Sequence, residues 1–128
     1  MNNISIERGR ALVLVGPQGS GKSTLAREIA QGRGPYREII MFELGRPFQT
    51  WVGEPVCATV IVDGFPESPD LVEEVKRHVV NEQMEMNRKG REIRLVRTPD
   101  LIFCALSVPK VSEGLRNRLF VFDMRDAE

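Results

Sequence analysis

The sequence predicts an α/β fold with a mainly parallel sheet, and three observations carry that expectation. Short apolar runs, composed like strands buried on both faces, alternate with segments of helical periodicity. A glycine-rich loop, Gly16-Pro17-Gln18-Gly19-Ser20-Gly21-Lys22-Ser23, follows directly on the first run. A later β-branched run closes on an acid, Asp63. In parallel sheets ligands gather beyond the carboxyl ends of the strands, and both Gly16 and Asp63 fall at such ends.

Ala11-Leu12-Val13-Leu14-Val15 is the first strand of this reading. The loop after it has the form G-x-x-x-x-G-K-[ST], whose glycines let the backbone curl until successive N–H groups line one concavity for polyphosphate oxygens. Thr24 to Ala30 reads as a helix, so its positive end faces the same anion. Lys22 is placed to reach the β- and γ-phosphates, and the Ser23 hydroxyl suits a magnesium ion. The expected nucleotide contacts are Gly16, Pro17, Gln18, Gly19, Ser20, Gly21, Lys22, Ser23 and Thr24, with ATP and Mg2+ as ligands.

Gly32 and Gly34-Pro35 stop the helix, and Arg37 to Phe42 reads as a second strand. An irregular connection from Gly45 to Pro55 precedes a third strand, Thr59-Val60-Ile61-Val62-Asp63. Ser68 as N-cap, Pro69 at the first helical position and Asp70 in the first turn open another helix. Leu71, Val72, Val75 and Val79 give it an apolar stripe. Met84 to Asn87 and Ile93 to Val96 alternate and flank Arg88-Lys89-Gly90-Arg91, a composition that suits a hairpin. Leu101 to Leu106 and Leu119 to Phe122 are the last two strands.

The 128 residues, without repeat or low-complexity tract, fit a single domain spanning 1–128. Lys plus Arg and Asp plus Glu balance at 18 each, which argues against indiscriminate nucleic-acid binding and leaves room for a local basic patch. No apolar run approaches membrane-spanning length and the first residues lack a secretion signal, so the cytoplasm is the expected location. Cys57 and Cys104 read as small buried thiols, and His78, beside Val75 and Val79, as a half-exposed structural residue.

Asp63 is costly to bury unless it serves a cation, and so reads as the partner of a magnesium ion held by Ser23. Hydrolysis also needs a group that orients water. Gly64 stands directly after the acid, leaving Glu67 as the nearest replacement and Glu43 as another. Arg116 and Arg118, before the last strand, could stabilise charge on a γ-phosphate, with a solvated arginine pair as the alternative. Arg88, Lys89 and Arg91 could touch a nucleic-acid backbone; an ordinary solubilising turn is the competing account.

In this order the pieces resemble the ATPase core of superfamily 3 helicases and viral replication proteins, within the AAA+ group of P-loop NTPases. Gly16 to Ser23 matches the Walker A motif and Val60 to Asp63 the Walker B motif. Lys89-Gly90 looks like the turn of the hairpin that faces DNA, and Arg97 to Phe103 with Pro109 like the sensor strand. Arg116 and Arg118 look like the arginine-finger region. The resemblance implies a three-layer sandwich with a five-stranded sheet ordered 5-1-4-3-2, from which the family's lid domain is expected to be missing. It further implies a homo-oligomeric ring with ATP between subunits, a single-stranded nucleic acid or a larger replication-type complex as partner, and no membrane. In Lys22, Asp63, Glu67, Arg116 and Arg118 it offers a catalytic set.

Two departures stand out: Gly64 replaces the paired Walker B acid, and Leu106 occupies the position usually held by a polar sensor residue, with Ser107 the nearest polar neighbour. Both favour slow turnover by the chain alone or a nucleotide-binding scaffold. The loop together with Asp63-Gly64-Phe65-Pro66 also looks like adenylate kinase, in which an arginine follows where Glu67 stands here.

Overall fold

The computed structural model describes residue 6 and residues 10–45, 57–86 and 93–127. Seven strands and three α-helices occur among them: β1 (Ala11–Val15), α1 (Lys22–Gln31), β2 (Tyr36–Ile40), β3 (Thr59–Asp63), α2 (Pro69–Val80), β4 (Gln83–Met86), β5 (Arg94–Arg97), β6 (Asp100–Ala105), α3 (Glu113–Arg116) and β7 (Leu119–Asp123). Five strands form one parallel sheet in the order β2-β3-β6-β1-β7, while β4 and β5 pair antiparallel as a separate ribbon. Counting only the five sheet strands in chain order, this is the expected 5-1-4-3-2 arrangement.

The burial of β1 on both faces explains its unbroken apolar run. Ala11, Val13 and Val15 meet Val60, Val62, Leu101, Phe103 and Leu119 on one face, which α2 covers with Val75 and Val79. Leu12 and Leu14 meet Ile61, Ile102 and Cys104 on the other, under Leu25, Ala26 and Ala30 of α1. Helices on both sides of a parallel sheet make the three layers, and every strand must cross over to the next in the same direction.

The start of α2 is the one its sequence announces: Ser68 is the N-cap, its Oγ accepts from the Leu71 amide at 3.3 Å, and Pro69 follows. The second strand ends at Ile40 rather than Phe42, because the chain tightens into a 3₁₀ turn over Met41–Gly45 that packs on α2. The ribbon pairs Met84 with Val96 and Glu85 with Leu95, burying the first pair. Its expected tip, with Arg88, Lys89 and Arg91, lies outside the described residues, as does most of the Gly45–Pro55 connection.

His78 is not half-exposed as expected. It is 5 % exposed, because the α2 face that carries Val75 and Val79 is turned fully inward, and burial drops its pKa to about 4. Both cysteines are buried, and neither is in a disulfide. On the α1 side, Arg33 donates from Nε to Thr59 Oγ1 at 3.2 Å and forms an ion pair with Asp100, tying the amino ends of β3 and β6 together. Among the described residues no helix is long and apolar enough to cross a membrane.

Candidate nucleotide site

The loop after β1 is anchored before it turns. The Gly16 amide donates to the Ala105 carbonyl at 3.1 Å, so the loop springs from the sheet's own hydrogen-bond ladder. Gly16 must lack a side chain, since a Cβ there would lie 2.7 Å from Ser20 Oγ and 3.1 Å from Met124 Cβ. Gly19 and Gly21 take positive φ, 80° and 89°, which turns their neighbouring amides toward the same hollow. Gly21 caps α1 without a side-chain partner, and no acid occupies the first turn, so the helix end keeps its free N–H groups and positive pole.

Lys22 folds back over this hollow. Its Nζ donates to the main-chain carbonyls of Gly16 and of Pro17, the latter at 3.3 Å. The ammonium is thus held where a phosphate tail would lie, on acceptors that a phosphate oxygen can replace. Ser23, one residue on, is exposed at the start of the helix.

Asp63 ends β3, two strands from β1. The register places Leu14 beside Cys104 and Cys104 beside Asp63, so the acid stands about 10 Å from the loop strand, on the far side of β6. Gly64 turns away at φ 88°, its amide donating to the Cys104 carbonyl at 2.8 Å. Phe65 then packs its ring on the buried Phe103 at a centroid distance of 4.8 Å, and Pro66 is buried. Those two anchors fix the segment that presents Glu67.

A cavity of about 810 Å³ joins these parts, lined on its polar side by Gln18, Lys22, Ser23, Asp63, Glu67 and Ser107. Met41, Phe65, Val72 and Val111 give it an apolar side. Of the two glutamates the sequence offered for water, Glu67 lines the cavity and Glu43 does not. Cys104, also in the wall, has its thiol pushed up to about 11 by burial against an opposing pull from Lys22, so it stays neutral and unreactive at ordinary pH.

The fit to a magnesium ion rests on donor chemistry. A hydroxyl (Ser23) and a carboxylate (Asp63) open on the same space, and hard oxygen donors in small number suit magnesium, which takes its remaining ligands from phosphate and water. Among the described residues no group of three or more His, Cys, Asp or Glu side chains is set to hold a metal unaided.

Arg116 and Arg118 are not brought to this cavity. Arg116, at the end of α3, donates from Nη1 to the Leu119 carbonyl at 3.4 Å, and the Arg118 carbonyl accepts from the Ala11 amide at 2.8 Å. Both therefore stand at the amino ends of β1 and β7, opposite the loop. Leu106 is 64 % exposed just past β6, which leaves Ser107 and Lys110 as the polar wall residues of that segment. Lys110 carries no signal in the sequence; only the central position of β6 puts the loop after it over the cavity. The contact of Met124 with Gly16 was equally unreadable, since it depends on β7 lying beside β1.

The whole fold is similar to two solved structures. One is the A form apo structure of the NrS-1 C-terminal region, with a TM-score of 0.69 and 19 % identity over 92 % of this chain and 30 % of that one. The other, the A form apo structure of NrS-1 residues 305–718, gives a TM-score of 0.65 and 20 % identity over 91 % of this chain and 29 % of that one. The chain thus spans under a third of either, and at these identities the likeness speaks for the fold. No curated protein matches the sequence significantly. The family model described as ABC transporter matches residues 2–122, nearly the whole chain. With its phosphate loop and five-stranded parallel sheet, the chain belongs to that family as a P-loop NTPase domain that binds ATP.

Proposed function

We propose that this domain hydrolyses ATP with magnesium, as an oligomeric core of the superfamily 3 helicase type. The observation that carries the reading is the meeting of Lys22, Ser23, Asp63 and Glu67 in one cavity across β6. The loop amides and the α1 terminus hold the phosphates, and Lys22 exchanges its carbonyl acceptors for phosphate oxygens. Ser23 and Asp63 would hold the cation, which supplies charge neutralisation to the bridging and γ-oxygens. Glu67 orients and accepts a proton from the attacking water, whose oxygen joins the γ-phosphorus as ADP leaves.

Arg118 stands at the amino ends of the strands, away from its own loop, and in this reading it would act on a neighbour's nucleotide. Lys89, with Arg88 and Arg91, is the nucleic-acid contact of the same reading, resting on the basic composition between β4 and β5.

The test is turnover with ATP and magnesium, measured with mass across a protein concentration series, with and without single-stranded DNA or RNA. Turnover that rises with assembly supports the proposal; a monomer that binds ATP and never hydrolyses it would leave a scaffold. A kinase reading draws on the apolar half of the cavity, beside Asp63-Gly64-Phe65-Pro66, which has room for an acceptor. Transfer of labelled phosphate from ATP to a nucleotide acceptor would decide for it.

A further inference from the structure

The nucleotide cavity holds a second cation to which hydrolysis, as proposed, gives no role. Among the described residues that line it, the positive side chains are Lys22 and Lys110. Lys22 rests on the Gly16 and Pro17 carbonyls, at the loop itself. Lys110 belongs to the segment after β6, the strand that lies between the loop strand β1 and the acid strand β3. Both neighbouring turns hydrogen-bond to the end of β6, the Gly16 amide donating to the Ala105 carbonyl at 3.1 Å and the Gly64 amide to the Cys104 carbonyl at 2.8 Å. The chain leaving β6 therefore emerges between the phosphate loop and the turn that carries Glu67.

The backbone at Lys110 is held while its charge is not used. Half-buried Pro109 fixes a torsion just before it, and Val111 just after it packs against the core. The lysine itself is exposed and forms no ion pair among the described residues, although Asp63 and Glu67 border the same space. Its ammonium keeps three donors for whatever anion enters. The arginines first considered for a γ-phosphate lie elsewhere: Arg118 borders a second cavity, of about 290 Å³, at the amino ends of the strands, together with Arg10, Arg97, Thr98 and His78. Within one chain, Lys110 is thus the described cation, besides Lys22, that the nucleotide cavity offers to a phosphate tail.

We infer that Lys110 binds the γ-phosphate of the nucleotide held by its own loop, so that the site tells a triphosphate from a diphosphate. The inference rests on the reading of this cavity as the triphosphate site. The loop amides and the α1 terminus engage the phosphates nearest the loop, which leaves the end of the tail to the part of the cavity bordered by Asp63, Glu67 and Lys110. An ammonium there makes a charge-assisted hydrogen bond to oxygens that ADP lacks. The same contact offsets the charge on the γ-oxygens as the bond to ADP breaks.

The test is calorimetric binding of adenylyl imidodiphosphate and of ADP, each with magnesium, to the parent and to Lys110→Gln, Lys110→Arg and Lys76→Gln. The parent should prefer the triphosphate analogue. Lys110→Gln should weaken the analogue ~10-fold or more and ADP by less than about twofold, as the loss of one charge-assisted hydrogen bond does. Lys110→Arg keeps the charge and should keep most of the preference. Lys76→Gln removes an equal charge from the exposed side of α2, outside the cavity lining, and should change neither affinity. Both lysines are exposed or half-exposed, so the variants leave the core intact. A parent without preference, equal weakening of both ligands in Lys110→Gln, or the same loss in Lys76→Gln overturns the inference. Binding needs no turnover, so a Lys110-dependent preference in a chain that never hydrolyses ATP would uphold this inference and refute hydrolysis. A parent that binds neither ligand refutes both.

Discussion

The two ends of the same sheet are built in opposite ways. At the carboxyl ends the phosphate loop and a helix terminus present main-chain amides, to which Lys22, Ser23, Asp63 and Glu67 add side-chain chemistry. At the amino ends the positive charge is carried wholly by side chains, from residues 10, 97 and 118. A main-chain cradle depends on glycines at fixed offsets and is therefore local. A side-chain cluster depends on which strand starts lie next to each other, and here β1 lies between β6 and β7. The comparison teaches that one end is fixed by short-range geometry and the other by topology.

The sharpest break in this contrast is Lys22→Ala. It should cut turnover ~1,000-fold or more and ATP affinity about 100-fold, measured by phosphate release and calorimetry, with the circular dichroism spectrum unchanged. ATP affinity equal to the parent's would refute the loop as the binding site. Arg118→Ala tests the other end: turnover should fall about 100-fold with ATP affinity within about twofold. Mixing it with the Lys22→Ala variant should restore part of the activity, because some interfaces then pair an intact loop with an intact arginine. No recovery on mixing would rule out supply from a neighbour.

Asp63→Asn sharpens the picture within the loop end. ATP should still bind without magnesium, while the gain in affinity on adding magnesium should drop by about tenfold. A variant whose magnesium response matches the parent's would remove Asp63 from the ion's surroundings.

The last test concerns His78, which borders the amino-end cavity, and it reads stability rather than activity. Burial lowers its folded pKa from 6.5 to about 4, so the unfolded chain takes up a proton that the folded one refuses. Its contribution to stability is complete above the unfolded value and is lost as pH falls from about 6.5 toward 4, a change of roughly 3 kcal/mol. Denaturant titrations across that window should therefore show a steeper decline for the parent than for His78→Gln. Parallel slopes would mean the imidazole is protonated in the folded state.

Much of the fold was legible because its signals are local. Ser68 and Pro69 announce α2, the apolar runs announce β1, β3 and β6, and the alternation around Arg88 to Arg91 announces the ribbon of β4 and β5. The resemblance to AAA+ proteins carried the strand order, which periodicity cannot supply. The inward turn of His78 escaped notice because an α2 face carrying Val75 and Val79 can be half or fully covered, and only the packed sheet says which. Between Glu67 and Glu43 the sequence could not choose. The structure shows only their placement: Glu67, on the segment that Phe65 anchors against Phe103, lines the cavity, and Glu43, on the 3₁₀ turn, does not.

By itself the sequence determined the phosphate cradle, since glycine positions and a following helix dictate backbone shape within a few residues. It also determined that Asp63 ends a buried strand. Only the tertiary structure decided that β6 separates that acid from the loop, that Lys110 and Met124 border the site, and that Arg10, Arg97, Thr98 and Arg118 share one hollow. The reason is that a parallel sheet joins strands far apart along the chain, and no periodicity in the sequence records which of them become neighbours.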